Sequence, residues 1–296
     1  MADSPIYDEW VDEWTIHLRS RLASGSVPVY LRALRQFSEW LPADVTTLAQ
    51  ITRHHVEGWM ADLADRDLKT STRDVRLKAL TQFFNYACDE ENLPNPTAKV
   101  ARVKVQDPII EIPSDDDIRS LLATCTGADP IDRRDNFLIR LLADAGLRRF
   151  EAVAINLDEL NLAEREALVH GKGGKDRTVA FGDTTAAAGM KWLRTRRQWA
   201  DTDQPAVFVT RTGTRLAATS IPKILERRCA AAGIPAIHPH ALRHRATHSL
   251  LNAGLGEQVV ESQMGWTGGQ MVRRYGRALA DQRARGAIKQ ARTGDL

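Results

Sequence analysis

His240-Ala241-Leu242-Arg243-His244 sets a histidine and an arginine three residues apart. On a helix that spacing is close to one turn, so both side chains can face one target. Arginine offers a planar fork of donors that stays charged and can grip a phosphate twice. A neutral histidine beside it can accept a proton from a hydroxyl. Taken alone the pair is modest, because a histidine at a helix start is commonly just hydrogen-bonded there. His238, His244 and His248 show that histidine is frequent in this stretch, so the spacing matters more than the identity. A zinc reading fails for want of cysteines and acids at ligand spacing.

Working outward, Gly146-Leu147-Arg148-Arg149-Phe150-Glu151 follows an apolar helical run through Phe137, Leu138, Leu141, Leu142 and Ala145. Arg148 at a helix end could simply offset the helix dipole. Glu151, one turn on, can hold Arg148 in place or form an ordinary surface pair with it. Gly171-Lys172-Gly173-Gly174-Lys175-Asp176-Arg177 lies between Leu168-Val169-His170 and Thr178-Val179-Ala180-Phe181 and reads as a hairpin turn. It lacks the Ser or Thr after Lys and the helix of a nucleotide-binding P-loop. Lys172 on such a turn is either solvated or able to reach a duplex groove; Lys175 and Arg177 are expected near phosphates or solvent. Beyond Gly265-Trp266 comes Met271-Val272-Arg273-Arg274-Tyr275-Gly276. Two adjacent arginines lower the cost of ionising a phenol and guide it toward phosphate. A packed aromatic near a helix end is the plain alternative for Tyr275. Of the other tyrosines, Tyr7 and Tyr30 fall in the first part of the chain and Tyr86 in an apolar helical run.

In order and spacing, Arg148, Lys172, His240, Arg243 and Tyr275 resemble the motif set of the tyrosine recombinase (integrase) family. The resemblance is close over most of residues 114–280 and loose over residues 5–105. It implies a mainly α chain: an N-terminal four-helix core-binding (SAM-like) bundle and a C-terminal α+β catalytic domain with a small antiparallel sheet. It also implies a mechanism. Tyr275 attacks the scissile phosphate to give a 3′-phosphotyrosyl bond and expels a 5′-hydroxyl. Arg148 and Arg243 hold the non-bridging oxygens, His240 assists proton transfer from Tyr275, and Lys172 protonates the leaving oxygen. Glu151 supports Arg148. The covalent link conserves bond energy, so neither ATP, a cofactor nor a metal is expected.

Three departures stand out. Trp266 replaces a histidine found in many relatives, although an indole N–H can still donate to a phosphate or buttress Tyr275. Phe150 replaces a small residue between Arg and Glu, which suggests a change of packing. The four-helix region also comes first, so the arm-binding domain of relatives resembling lambda integrase is not expected.

Helical spacing supports that bundle. Trp10, Trp14 and Leu18 recur in 7–24; Val27, Tyr30, Leu31, Leu34, Phe37 and Leu41 in 26–41; Val56, Trp59, Met60 and Leu63 in 53–66. Leu77, Leu80, Phe83, Phe84 and Ala87 mark a fourth helix, with Thr70-Ser71-Thr72 as its cap region and Leu93-Pro94-Asn95-Pro96 as its end. Residues 98–113 show no dominant period, which places a domain at 1–100, a linker at 101–113 and a second domain at 114–296. Ser114 before three aspartates reads as a helix N-cap. From Ile221 the pattern is mainly helical, broken at Pro235, Pro239 and Gly254.

Composition narrows little. The net charge is +3; residues 1–105 carry 13 Lys and Arg against 15 Asp and Glu, and residues 106–296 carry 28 against 23. A clustered patch counts for more than a total, and one stretch qualifies: Arg66, Lys69, Arg73, Arg76 and Lys78 around one helix start, with Asp67 and Asp74 as the only acids. We expect these to meet DNA phosphates, with a solvated helix face as the alternative. No run approaches 18 apolar residues, no signal peptide is visible, and three scattered cysteines fit neither a disulfide framework nor zinc, so a cytoplasmic protein is expected. The resemblance implies double-stranded DNA at a specific core site as partner, bound as a dimer per site and a tetramer on two duplexes, and allows for accessory directionality or DNA-bending proteins. The leading expectation is a phage or mobile-element integrase. A chromosome-dimer resolvase shares the domain plan, a type IB topoisomerase-like enzyme shares the chemistry, and a catalytically silent DNA-binding regulator shares the fold.

Overall fold

The computed structural model of the chain describes residues 5–22, 25–104, 112–171, 175–201, 203–266 and 269. The chain divides into two compact units, Met1–Pro108 and Ile109–Leu296. Among the described residues no helix is long and apolar enough to cross a membrane.

The first unit holds α1 (Pro5–Arg21), α2 (Val27–Trp40), α3 (Arg53–Asp65) and α4 (Thr70–Glu90). Each helix turns the apolar stripe legible in its sequence toward one core, in which Trp14, Phe37, Trp59, Phe83 and Phe84 are almost completely buried. The rings meet edge to face, Trp14 on Phe83 at 5.6 Å and Phe37 on Trp59 at 5.3 Å between centroids. This geometry adds to what their buried area contributes. The turn from α3 to α4 is tight: Asp67 adopts a left-handed φ of 54°, which aspartate tolerates better than most residues. Thr70-Ser71-Thr72 does not cap α4 as the sequence suggests. The three residues form its first turn, Lys69 occupies the N-cap position without a side-chain bond, and the Lys69 carbonyl accepts from Thr72 and Arg73.

In the second unit α5 (Asp115–Ala123), α6 (Pro130–Asp144) and α7 (Arg149–Ala154) precede a three-stranded antiparallel sheet of β1 (Leu160–Asn161), β2 (Glu166–His170) and β3 (Asp176–Ala180), in the order β1-β2-β3. Then come α8 (Asp183–Arg196), α9 (Ser220–Ala232), α10 (Pro239–Asn252) and α11 (Glu257–Met264). Ser114 caps α5, accepting from the Asp117 amide while the Asp117 carboxylate accepts from the Ser114 amide. Helix α6 runs through the core, with Phe137, Leu138, Leu141 and Leu142 fully buried. Asp135 on the same helix is also fully buried and accepts from Arg134, Arg227 and Arg228, which pins α6 to α9. Buried charge is tolerated only when paired in this way. In the sheet His170 pairs with Asp176 and Leu168 with Thr178, so Ala167, Val169 and Val179 face the core. Pro239 begins α10 rather than breaking a helix, since its missing N–H costs nothing in the first turn.

Candidate active site

Two glycines bring the site's segments together. After α6 the chain reverses at Gly146, whose φ of +67° is a left-handed conformation. A Cβ there would sit 2.5 Å from the Met264 methyl, so only glycine lets the end of α11 approach. Gly265, also left-handed, closes α11 and lies against the Arg177 side chain.

Arg148 follows this turn. It does not end a helix: it is the N-cap residue of α7, with extended backbone. Its amide donates to Glu151 Oε2 at 2.8 Å and its Nη1 to Glu151 Oε1 at 2.7 Å. Glu151 is 5% exposed and stands at the centre of a basic cluster. Arg177 donates to it through Nη1 at 3.1 Å and Nη2 at 3.0 Å, and Arg243 Nη1 lies 3.9 Å away. Burial alone would raise the Glu151 carboxyl, but the hydrogen bonds from Arg177 and Arg148 outweigh it and hold the group below its ordinary 4.5.

Arg243, on α10, is 2% exposed. Its Nη1 donates to the Gly146 carbonyl and its Nη2 to the Met264 carbonyl. Each of these nitrogens carries a second N–H, and Nε a further one. Burial, then the nearby charge of Arg148, pulls the Arg243 guanidinium down to about 10, with Glu151 opposing the shift. It remains a cation at neutral pH. The Trp266 ring lies 5.4 Å from the Arg243 guanidinium carbon. His240, one turn before Arg243, lines one cleft with Arg148, Phe150 and Arg243. Desolvation there, followed by the charges of Arg243 and Arg148, pushes His240 below 6.5. Its ring contacts His244 edge to face at 4.3 Å.

Arg148, Glu151, His240, Arg243 and Trp266 therefore come together from three separate segments: the start of α7, α10 and the end of α11. Lys172 and Tyr275 lie outside the described residues. Two expectations need correction. Arg177 is not a solvent-side cation: its side chain is 10% exposed, with one bond each from Nη1 and Nη2 to Glu151 and one from Nε to the Gln263 carbonyl, so three of its five N–H groups bond within the protein. Phe150 is not a packing change: it is 61% exposed, with Arg149 stacked over its ring at 4.8 Å. Lys175 is exposed at the base of the hairpin.

The basic stretch of the first unit is partly self-paired. Arg66 meets Asp62 at 2.9 Å and Lys78 meets Asp74 at 2.6 Å, both across one turn. Lys69 is exposed, and Arg73 is half-buried. Burial first, and then the charges of Arg66 and Arg32, lower the Arg76 guanidinium from its usual value. Arg32, on α2, thus joins a cationic cluster to which its position in the sequence gives no clue. Gln263 is the other residue missed, because its contacts reach far along the chain.

This is the architecture of an enzyme class that cleaves and rejoins DNA through a tyrosine. The description "Phage integrase family" matches residues 114–282, and "Phage integrase, N-terminal SAM-like domain" matches residues 11–91. The chain is 30% identical over 250 residues to tyrosine recombinase XerC of Psychromonas ingrahamii, covering 82% of this chain and 83% of that one. Among solved structures, XerH site-specific recombinase in a post-cleavage complex with palindromic difH substrate aligns with a TM-score of 0.72 at 18% identity, over 93% of this chain and 81% of that one. A lambda integrase tetramer bound to a Holliday junction aligns at 0.73 and 14% identity, over 90% and 76%. The chain belongs to the phage integrase family of tyrosine recombinases.

Proposed function

We propose that this protein is a site-specific recombinase that cuts a DNA core site with Tyr275 and rejoins the strand to a new partner. The observation that carries this is the convergence of Arg148 and Arg243 on the buried Glu151, with His240 lining the same cleft. A phosphodiester is already anionic, so its attack needs charge neutralisation and positioning above all. Arg148 and Arg243 hold the non-bridging oxygens. Tyr275 Oη attacks phosphorus and gives its proton to His240, which is neutral at physiological pH. A 3′-phosphotyrosyl bond forms, and the 5′-oxygen leaves with a proton from Lys172. Trp266 donates to the phosphate or buttresses Tyr275. Arg66, Lys69, Arg73, Arg76 and Lys78 meet the DNA backbone, and Lys175 adds a contact from the hairpin. The exposed ion pairs of Arg66 and Lys78 are worth little and are readily exchanged for phosphate contacts. The lambda integrase tetramer on a Holliday junction supports a tetramer on two duplexes as the working assembly.

The first reading of its biological use is integration or excision of a phage or mobile element. A second, resolution of chromosome dimers, is favoured by the XerC relative. Covalent capture separates the two. Protein incubated with nicked fragments of its host genome is denatured, and DNA bound covalently to it is sequenced. Captured sites at the boundaries of an inserted element support integration. A single chromosomal site with no element beside it supports dimer resolution. Binding without any covalent capture would favour the silent regulator and overturn the enzymatic reading.

A further inference from the structure

Gln263 has no part in the chemistry above, yet its side chain joins three segments that build the site. Its Nε2 donates to the Ala180 carbonyl at 2.8 Å and to the Ala145 carbonyl at 3.3 Å, while its Oε1 accepts from the Ala180 amide at 3.1 Å. Ala180 is the last residue of β3, whose outer edge has no strand partner among the described residues. A primary amide presents a donor and an acceptor side by side, so one glutamine satisfies both backbone groups of an edge residue as a further strand would.

The location of these bonds gives them a second consequence. Ala145 precedes Gly146, and Gln263 precedes Met264. The carbonyls of Gly146 and Met264 are the two that hold the Arg243 guanidinium. The Gln263 amide therefore fixes the separation of the two carbonyls between which Arg243 is strung and fastens both to the sheet. Arg243 is too buried to recruit water if that separation drifts.

We propose that Gln263 is a positioning residue that aims Arg243 at the scissile phosphate. The inference rests on the reading that Arg243 neutralises phosphoryl charge, and the test separates the two. Single-turnover adduct formation is measured on a captured site with either a normal scissile phosphodiester or a methylphosphonate, which is uncharged and needs less neutralisation. Gln263→Met keeps length and packing while removing all three side-chain bonds. We expect it to melt near the wild-type temperature and to cleave the phosphodiester about tenfold more slowly, a modest cost for a misplaced catalytic group. That gap should close on the methylphosphonate, as the larger gap of the Arg243→Ala control should. If Arg243→Ala gains from the neutral linkage and Gln263→Met is slowed equally on both, or on neither, the positioning inference is overturned while the role of Arg243 stands. If Arg243→Ala gains nothing, the reading of Arg243 fails and the inference falls with it. Should Gln263→Met melt too early, Gln263→Glu carries the same test, because it keeps an acceptor for the Ala180 amide but loses the donor to the Ala180 and Ala145 carbonyls.

Discussion

Glu151 is the carboxylate on which three arginines depend. Replacing it with glutamine leaves Arg148, Arg177 and Arg243 facing one another with little water between them. The expected loss of stability at neutral pH is about 3–5 kcal/mol, the usual cost of breaking a buried ionic network. Because the folded carboxyl titrates below 4.5, its contribution is present above that value and is lost as the pH falls through the folded pKa. Denaturation of wild type and Glu151→Gln should therefore differ most near pH 7 and converge in acid; a constant difference would contradict the assignment. His240 makes a separate prediction. It accepts a proton only when neutral, and its pKa lies below 6.5. Adduct formation should hold its rate down to pH 6.5 and fall in more acidic buffer. His240→Ala should remove that limb and slow the reaction about a hundredfold, within the range of general base catalysis. A limb that survives the substitution belongs to another group.

At the scale of elements, the β2–β3 pair is clamped at the end of β2. His170 closes β2 and lies between two carboxylates, with Nε2 at 2.6 Å from Glu159 and Nδ1 at 2.9 Å from Asp176. The hydrogen bond to Glu159, then that to Asp176, raises the imidazole above 6.5. Its contribution is fully present below 6.5 and disappears as pH rises through the folded value. The difference in melting temperature between wild type and His170→Gln should thus be largest in mildly acidic buffer and vanish in alkaline buffer. The elements also show what a sequence can reveal. The long helices were legible because their apolar residues recur on one face, as Trp10, Trp14 and Leu18 do. Helix α7 has six residues and β1 two, too few to establish a period. Helix α8 shows little apolar period because its buried face sets one large apolar residue, Trp192, among Ala186, Ala188, Gly189 and the polar Thr185, Thr195 and Arg196. Arg148 and Glu151 were readable as neighbours one turn apart. Arg177 and Gln263 were not, since their bonds span 86, 83 and 118 residues of chain.

For the whole molecule, binding and chemistry are separable. Arg66 and Arg76 in the first unit should contribute affinity but little to the cleavage rate of bound DNA. Each phosphate contact releases condensed counterions, so affinity should fall steeply with salt, and Arg66→Ala or Arg76→Ala should each flatten the dependence of log affinity on log salt by about one. An unchanged slope would remove that residue from the DNA surface. One step underlies the others: Tyr275 forms the covalent bond that the arginine cluster makes possible. The most direct measurement is mass spectrometry of the trapped protein–DNA adduct after digestion of both partners. The expected product is a nucleotide attached through its 3′-phosphate to the peptide containing Tyr275, with no adduct from Tyr275→Phe. A nucleotide on Tyr7, Tyr30 or Tyr86, or an adduct that persists in Tyr275→Phe, would contradict it.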